Sequence, residues 1–161
     1  MAPDQLFLQL LADQRRQVHL SLCEDALASW IDYVQKKPAS LRYRDSVVGM
    51  RHTVDSTLPA DALHCARAGV DLAEIGNRYL EPITALQDGD LSFPDPIEYA
   101  YYAVYNCYRK HVRGDDISDW LIVNQALSIH DPGEAASRLM HAIANITPAT
   151  RGNTDDVEPM G

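Results

Sequence analysis

Asp95-Pro96-Ile97-Glu98-Tyr99-Ala100-Tyr101-Tyr102-Ala103-Val104-Tyr105-Asn106-Cys107-Tyr108-Arg109-Lys110-His111-Val112-Arg113 is the clearest single element in the chain. Asp95 suits an N-cap, Pro96 the first helical position, and Glu98 the acid of a capping box. Arg109, Lys110 and Arg113 load the last turn with cations, which favours the carbonyl end of a helix dipole. Gly114 follows where a left-handed C-cap residue belongs. Ile97, Tyr101, Val104, Tyr108 and His111 alternate at spacings of four and three, so they share one stripe. Ala100, Ala103 and Cys107 make a second stripe of small residues beside it. A helix apolar or small over so much of its circumference is packed on more than one side, which predicts the central helix of an all-α domain.

Outward from this helix the chain reads as more helices. Residues 4–36 contain no Gly or Pro. Phe7, Leu11, Val18, Leu22 and Ala26 trace an apolar face that Leu27, Trp30, Ile31 and Val34 continue. The segment predicts one long helix, or two nearly collinear ones broken around Asp13–Gln17, stopped by Pro38. Residues 40–56 predict a second helix, with Leu41, Val47 or Val48, Met50 and Val54 inward and Gly49 permitting a close crossing. Arg42, Arg44 and Arg51 put a cationic patch there. A third helix is expected from Pro59 to Tyr79, with Gly69 and Gly76 on one face, and Pro82 kinking or ending it near Leu80. Gly114-Asp115-Asp116, with Asp116 as a cap, begins another helix through Trp120 and Leu127. Asp131-Pro132-Gly133-Glu134 opens the last, to about Ile146. The expected architecture is a single-domain bundle of about six helices over residues 1–146. Pro, Gly, Thr and acids dominate from residue 147 onward and predict a disordered acidic tail over 147–161.

Composition narrows the function. The 161 residues fit one domain, and 46% apolar content is ordinary for a globular protein. No apolar run approaches the roughly 18–20 residues of a membrane span. The first residues lack the basic region of a secretory signal, so a cytoplasmic location is expected. Cys23, Cys65 and Cys107 are an odd number at wide spacing on apolar helical positions, and buried reduced thiols are the expectation. The net charge is −9, with 10 acids against 9 bases in residues 1–80 but 13 against 5 in residues 81–161. Binding nucleic acid needs clustered Lys and Arg to displace counterions, so this balance argues against it and admits a basic protein partner.

Motifs for catalysis are missing from the sequence. His19, His52, His64, His111, His130 and His141 are scattered, with no H-E-x-x-H arrangement, and no metal or cofactor is expected. Cys107 and His111 share a face at i, i+4 without a surrounding motif, and His111 is placed to meet Asp115 or Asp116. The informative polar regions are the acidic connections flanking the central helix. Asp95 and Asp116 are accounted for as caps, which leaves Asp88, Asp90, Asp115 and Asp119 to contact a partner. Trp120, beside Asp119, is the aromatic most suited to join them.

The run Tyr102–Val112, followed by Gly114-Asp115-Asp116 and then Asp119-Trp120-Leu121-Ile122-Val123-Asn124-Gln125-Ala126-Leu127, resembles small helical immunity proteins. These accompany polymorphic toxins and contact-dependent or type VI secreted effectors in bacteria. The resemblance covers about 30 of the 161 residues. It implies a cytoplasmic protein that binds one cognate toxin and occludes its active site. An acidic face suits a basic, nuclease-like toxin, because opposite potentials speed encounter. Two other classes stand beside it. One is a helical adaptor that takes a peptide in an apolar groove. The other is an enzyme with a pocket in the bundle and His64 or His111 as base.

Overall fold

A computed structural model describes residues 1–147. Among the described residues the fold is all-α apart from one short hairpin, and seven helices carry it. In chain order these are α1 (Pro3–Leu8), α2 (Ala12–Lys36), β1 (Arg42–Arg44), β2 (Arg51–Thr53), α3 (Leu58–Ala68), α4 (Ile75–Asp88), α5 (Asp95–Tyr108), α6 (Asp119–Leu127) and α7 (Pro132–Ala144). A 3-10 turn at Pro38–Leu41 leads into β1, and a π-type turn at Arg109–Arg113 extends α5.

The central position of α5 holds. It packs against α2, α3 and α6, with Ala100, Tyr101, Ala103, Val104, Tyr105, Asn106, Cys107 and Tyr108 all buried. The small-residue stripe explains the close approach of α2: the Cys23 thiol lies 3.7 Å from the Ala103 carbonyl oxygen. Aromatic contacts fill the rest of the circumference, where Trp30 of α2 lies 4.8 Å from Tyr101 and Tyr79 of α4 stacks on Tyr105 at 4.3 Å, centroid to centroid. All three cysteines are buried free thiols. One detail differs at the start of α5. Pro94 occupies the N-cap and Asp95 falls inside the first turn, where it supports the dipole without capping it.

Several helix boundaries differ from the sequence expectation. The amino-terminal segment breaks at Gln9–Leu11, ahead of the polar run Asp13–Gln17. Arg15 is the reason: its guanidinium bonds the carbonyl oxygens of Leu10 and Leu8 at 3.0 and 3.2 Å, satisfying the end of α1 with a side chain from α2. The expected helix over 59–79 divides into α3 and α4. Gly69 ends α3 in the left-handed region at φ 76°, and the Asp71 carboxylate accepts from the Ile75 N–H at 3.1 Å to start α4. Of the kink or end expected at Pro82, the end does not occur: α4 runs through a buried Pro82 to Asp88.

The largest correction concerns residues 40–56, which form an antiparallel hairpin where a helix was expected. Arg42 pairs with Thr53, Tyr43 with His52, and Arg44 with Arg51. Gly49 takes φ 72°, and the Asp45 carboxylate accepts from the N–H groups of Val47, Val48 and Gly49 at 3.1, 2.7 and 3.2 Å. A turn built this way competes successfully with a helix, because one carboxylate satisfies three backbone donors. Leu41, Tyr43 and Val54 then face the core, while Val47, Val48 and Met50 project outward. The expected tail, Thr147 apart, lies outside the described residues.

Candidate functional site

The five residues singled out for partner contact separate into two groups. Asp115, Asp119 and Trp120 lie at the junction of the π-turn and α6. Asp115 receives the Arg109 guanidinium at 3.0 Å and that of Arg113 at 3.4 Å. Asp119 is held between Arg15 at 2.9 Å and Lys110 at 3.0 Å, with its side chain 20% exposed. Burial alone would raise its pKa, but the bonds from Arg15 and Lys110 outweigh that and hold the carboxyl below the usual carboxylate range. Trp120 is half-buried, with its ring 6.0 Å from that of Phe7. These carboxylates therefore turn toward the chain's own cations, and their first role is to fasten α6 to α2 and α5. Asp116 is not the cap of α6, because Ser118 is, its hydroxyl accepting from the Leu121 N–H.

The same junction encloses a histidine pair. His19 is fully buried, and its Nδ1 lies 2.8 Å from His111 Nε2. Its Nε2 lies 2.8 Å from the Asp119 carbonyl oxygen. A carbonyl only accepts, so His19 carries its proton on Nε2 and takes a hydrogen bond from the Nε2–H of His111. Burial lowers both pKa values to about 4, aided at His111 by the neighbouring His19, Arg16 and Lys110. The hydrogen-bond partner of His111 is thus His19, in place of the expected Asp115 or Asp116. His64 is exposed on α3, away from this pair. The arrangement is a neutral histidine pair whose inner ring, His19, is fully buried and whose outer ring, His111, is half-buried.

Asp88 and Asp90 occupy a different setting. The hairpin leans on α4 and leaves an open cleft of about 480 Å³. Val47, Val48, Leu80 and Ala85 bring aliphatic side chains to its lining. Val47 is 85% exposed, Val48 73% and Leu80 61%, a density of apolar side chains in solvent that marks interaction surfaces. Asp45, Glu81, Asp88 and Asp90 add carboxylates to the same lining. Asp88 is exposed at the end of α4, and Asp90 accepts from the N–H and hydroxyl of Ser46 through Oδ2 at 3.0 and 3.1 Å. That contact ties the loop after α4 to the hairpin turn.

His52, itself part of the lining, links the hairpin turn to α4. It stacks on Tyr43 with ring centroids 5.0 Å apart. Its Nε2 lies 2.8 Å from Asp45 Oδ2 and its Nδ1 lies 3.0 Å from Glu81 Oε1. Tyr43 donates its hydroxyl proton to the same Glu81 oxygen at 2.9 Å. The Val48 N–H, followed by His52, keeps the Asp45 carboxyl down at about 2, so it remains charged. Sequence reasoning missed Asp45, Val47 and Val48 because it placed the hairpin in a helix, and missed Leu80 because its exposure depends on where the hairpin lies against α4. The available signal was the pairing of a turn-forming Asp45 with Gly49 four residues on, between Arg-Tyr-Arg and Arg-His-Thr.

Among the described residues no group of three or more His, Cys, Asp and Glu side chains converges as metal ligands would. No described helix is long and apolar enough to cross a membrane. No family model, curated protein sequence or solved structure matches the chain.

Proposed function

We propose that this chain is a stoichiometric inhibitor of the immunity type, and that it binds a basic toxin domain at the cleft between the hairpin and α4. The observation that carries this reading is the combination in one place of exposed Val47, Val48 and Leu80 with the carboxylates of Glu81, Asp88 and Asp90. The aliphatic side chains supply burial, and the carboxylates select a cationic partner and speed its approach. The net charge of −9 reinforces that attraction at long range. Asp88 and Asp90 remain the contacts from the original set. Asp115, Asp119 and Trp120 act from behind, by fixing the bundle on which the cleft is mounted.

The test is co-expression with the product of the adjacent reading frame. That product is expected to arrest growth alone and to co-purify with this chain. Asp88→Lys together with Asp90→Lys should weaken the complex about 100-fold or more, by replacing complementary charges with like ones. Asp88→Lys alone should leave the melting temperature nearly unchanged, since Asp88 makes no ion pair among the described residues, whereas Asp90→Lys also loses the two bonds from Ser46 and should lower it slightly. A product that is harmless alone and does not co-purify would remove the inhibitor reading. The aliphatic side chains also favour a second reading, an adaptor that takes a basic-apolar peptide in the same cleft. A complex formed with a non-toxic partner through the same residues would favour the adaptor.

A further inference from the structure

The opposite face of the hairpin has a different chemistry. In an antiparallel pair, directly opposed residues point to the same side. Tyr43 and His52 point toward α4, so Arg42, Arg44, Arg51 and Thr53 share the solvent face, and all four are exposed. Arg44 and Arg51 are opposed across the ladder as a pair that is not hydrogen-bonded, where Cα atoms approach to about 4.5 Å and like charges are destabilising. Among the described residues no carboxylate lies within ion-pair distance of these three arginines, although the chain holds 23 acids. Arg44 satisfies one N–H on the Gly49 carbonyl oxygen at 2.7 Å.

The backbone beside them is open as well. The Val54 N–H bonds the Leu41 oxygen at 2.8 Å and the Asp45 N–H bonds the Met50 oxygen at 2.9 Å. These fix the phase of the ladder, making Tyr43 and His52 the hydrogen-bonded pair between them. The N–H and C=O groups of Arg51 and Thr53 therefore point away from β1. The sheet has two strands, so the outer edge of β2 has no strand partner among the described residues.

We propose that this edge and face form a second recognition surface, which takes an extended acidic segment of a protein partner as a third strand. Alternate residues of an extended chain lie about 6.6–6.8 Å apart, the same repeat that separates Arg51 from Thr53 on β2, with Arg44 and Arg42 directly across from them on β1. Carboxylates at every second position of the incoming strand meet the guanidinium groups, which bind them in bidentate fashion. Single-stranded nucleic acid fits less well, because the aromatic rings of Tyr43 and His52 lie on the other face and give bases nothing to stack on. An anionic membrane is disfavoured by Asp45 and Asp90 at the hairpin turn. This surface is independent of the cleft described above, and its test is read separately.

The test titrates the full chain into a fluorescent peptide with Glu at alternate positions, and into its Lys counterpart, following anisotropy. The Glu peptide is expected to bind, more weakly as salt rises, and the Lys peptide to bind less. Arg51→Glu converts the repelling cross-strand pair into an attracting one, so the variant should keep or raise its melting temperature while losing peptide affinity by about tenfold or more. Arg51→Gln serves the same purpose if the first variant misfolds. Equal binding of both peptides, unchanged affinity in the variants, or no binding at millimolar peptide would overturn the proposal. Stronger binding to oligothymidylate or to phosphatidylserine vesicles would also overturn it, and would give the surface to a phosphate ligand. Neutralising Asp155, Asp156 and Glu158 together should leave peptide affinity unchanged. A rise would show that the chain's own carboxyl-terminal acids compete for the site, against an external partner.

Discussion

At the scale of single residues, the junction of α2, the π-turn and α6 is governed by burial. His19 and His111 stay neutral in the folded protein, with pKa values of about 4, against an ordinary value of 6.5. Their surroundings explain the direction. Arg15, Arg16 and Lys110 oppose a further positive charge, and the Asp119 carboxylate offsets only part of that opposition. The unfolded chain therefore binds more protons than the folded one between the two values. Stability should fall as pH drops from about 6.5 toward about 4, and be insensitive to these groups above about pH 7. Urea midpoints measured across this range check the sign, and His19→Phe should flatten the dependence. A midpoint that rises on acidification would contradict the neutral pair. His19 lies on the buried face of α2 in the sequence pattern, but its partner 92 residues away was not legible there.

At the scale of elements, the hairpin is the decisive departure from the helical pattern. Its strands have three residues each, too few for an alternation to show in sequence. Val47, Val48, Met50 and Val54 happened to satisfy a helical period, and Leu41 and Val54 are the two apolar positions that did go inward. What outweighed the pattern was local: the Asp45 carboxylate against three backbone donors and Gly49 at φ 72°. A Cβ at Gly49 would meet nothing closer than 3.9 Å, so the cost of Gly49→Ala is conformational. It should be about 1–2 kcal/mol, the left-handed penalty for an L-residue. The loss should appear in the melting temperature and as faster amide exchange at Val54 and Asp45. A destabilisation below about 0.3 kcal/mol would show that the turn tolerates a side chain. The π-type turn at Arg109–Arg113 is the other departure. It widens the end of α5 and lets Lys110 reach Asp119 while His111 reaches His19.

At the scale of the whole molecule, the bundle depends on the close crossing of α2 and α5 over small residues. Ala103 is fully buried there, with Cys23 against its carbonyl oxygen. Ala103→Leu should overpack the crossing, lower stability by about 1–3 kcal/mol and reduce the urea midpoint. A neutral result would mean that the crossing has room to spare. The Ala100–Ala103–Cys107 stripe made packing on more than one side of α5 readable in the sequence, but not that α2 is the helix that crosses it there. Sequence alone determined the all-α character, the central place of α5 and the buried free thiols. Each depends on side chains within one helix, and helical period brings those into register without reference to the rest of the chain. Tertiary structure alone decided which carboxylates face outward. Asp115 and Asp119 look as available in sequence as Asp88 and Asp90, yet folding carries Arg15, from 104 positions away, onto Asp119. Folding likewise sets the hairpin beside α4, so that Asp88 and Asp90 border an aliphatic cleft. The physical reason is that an ion pair or a cleft is fixed by distances through space between elements, and a linear pattern records only distances along the chain.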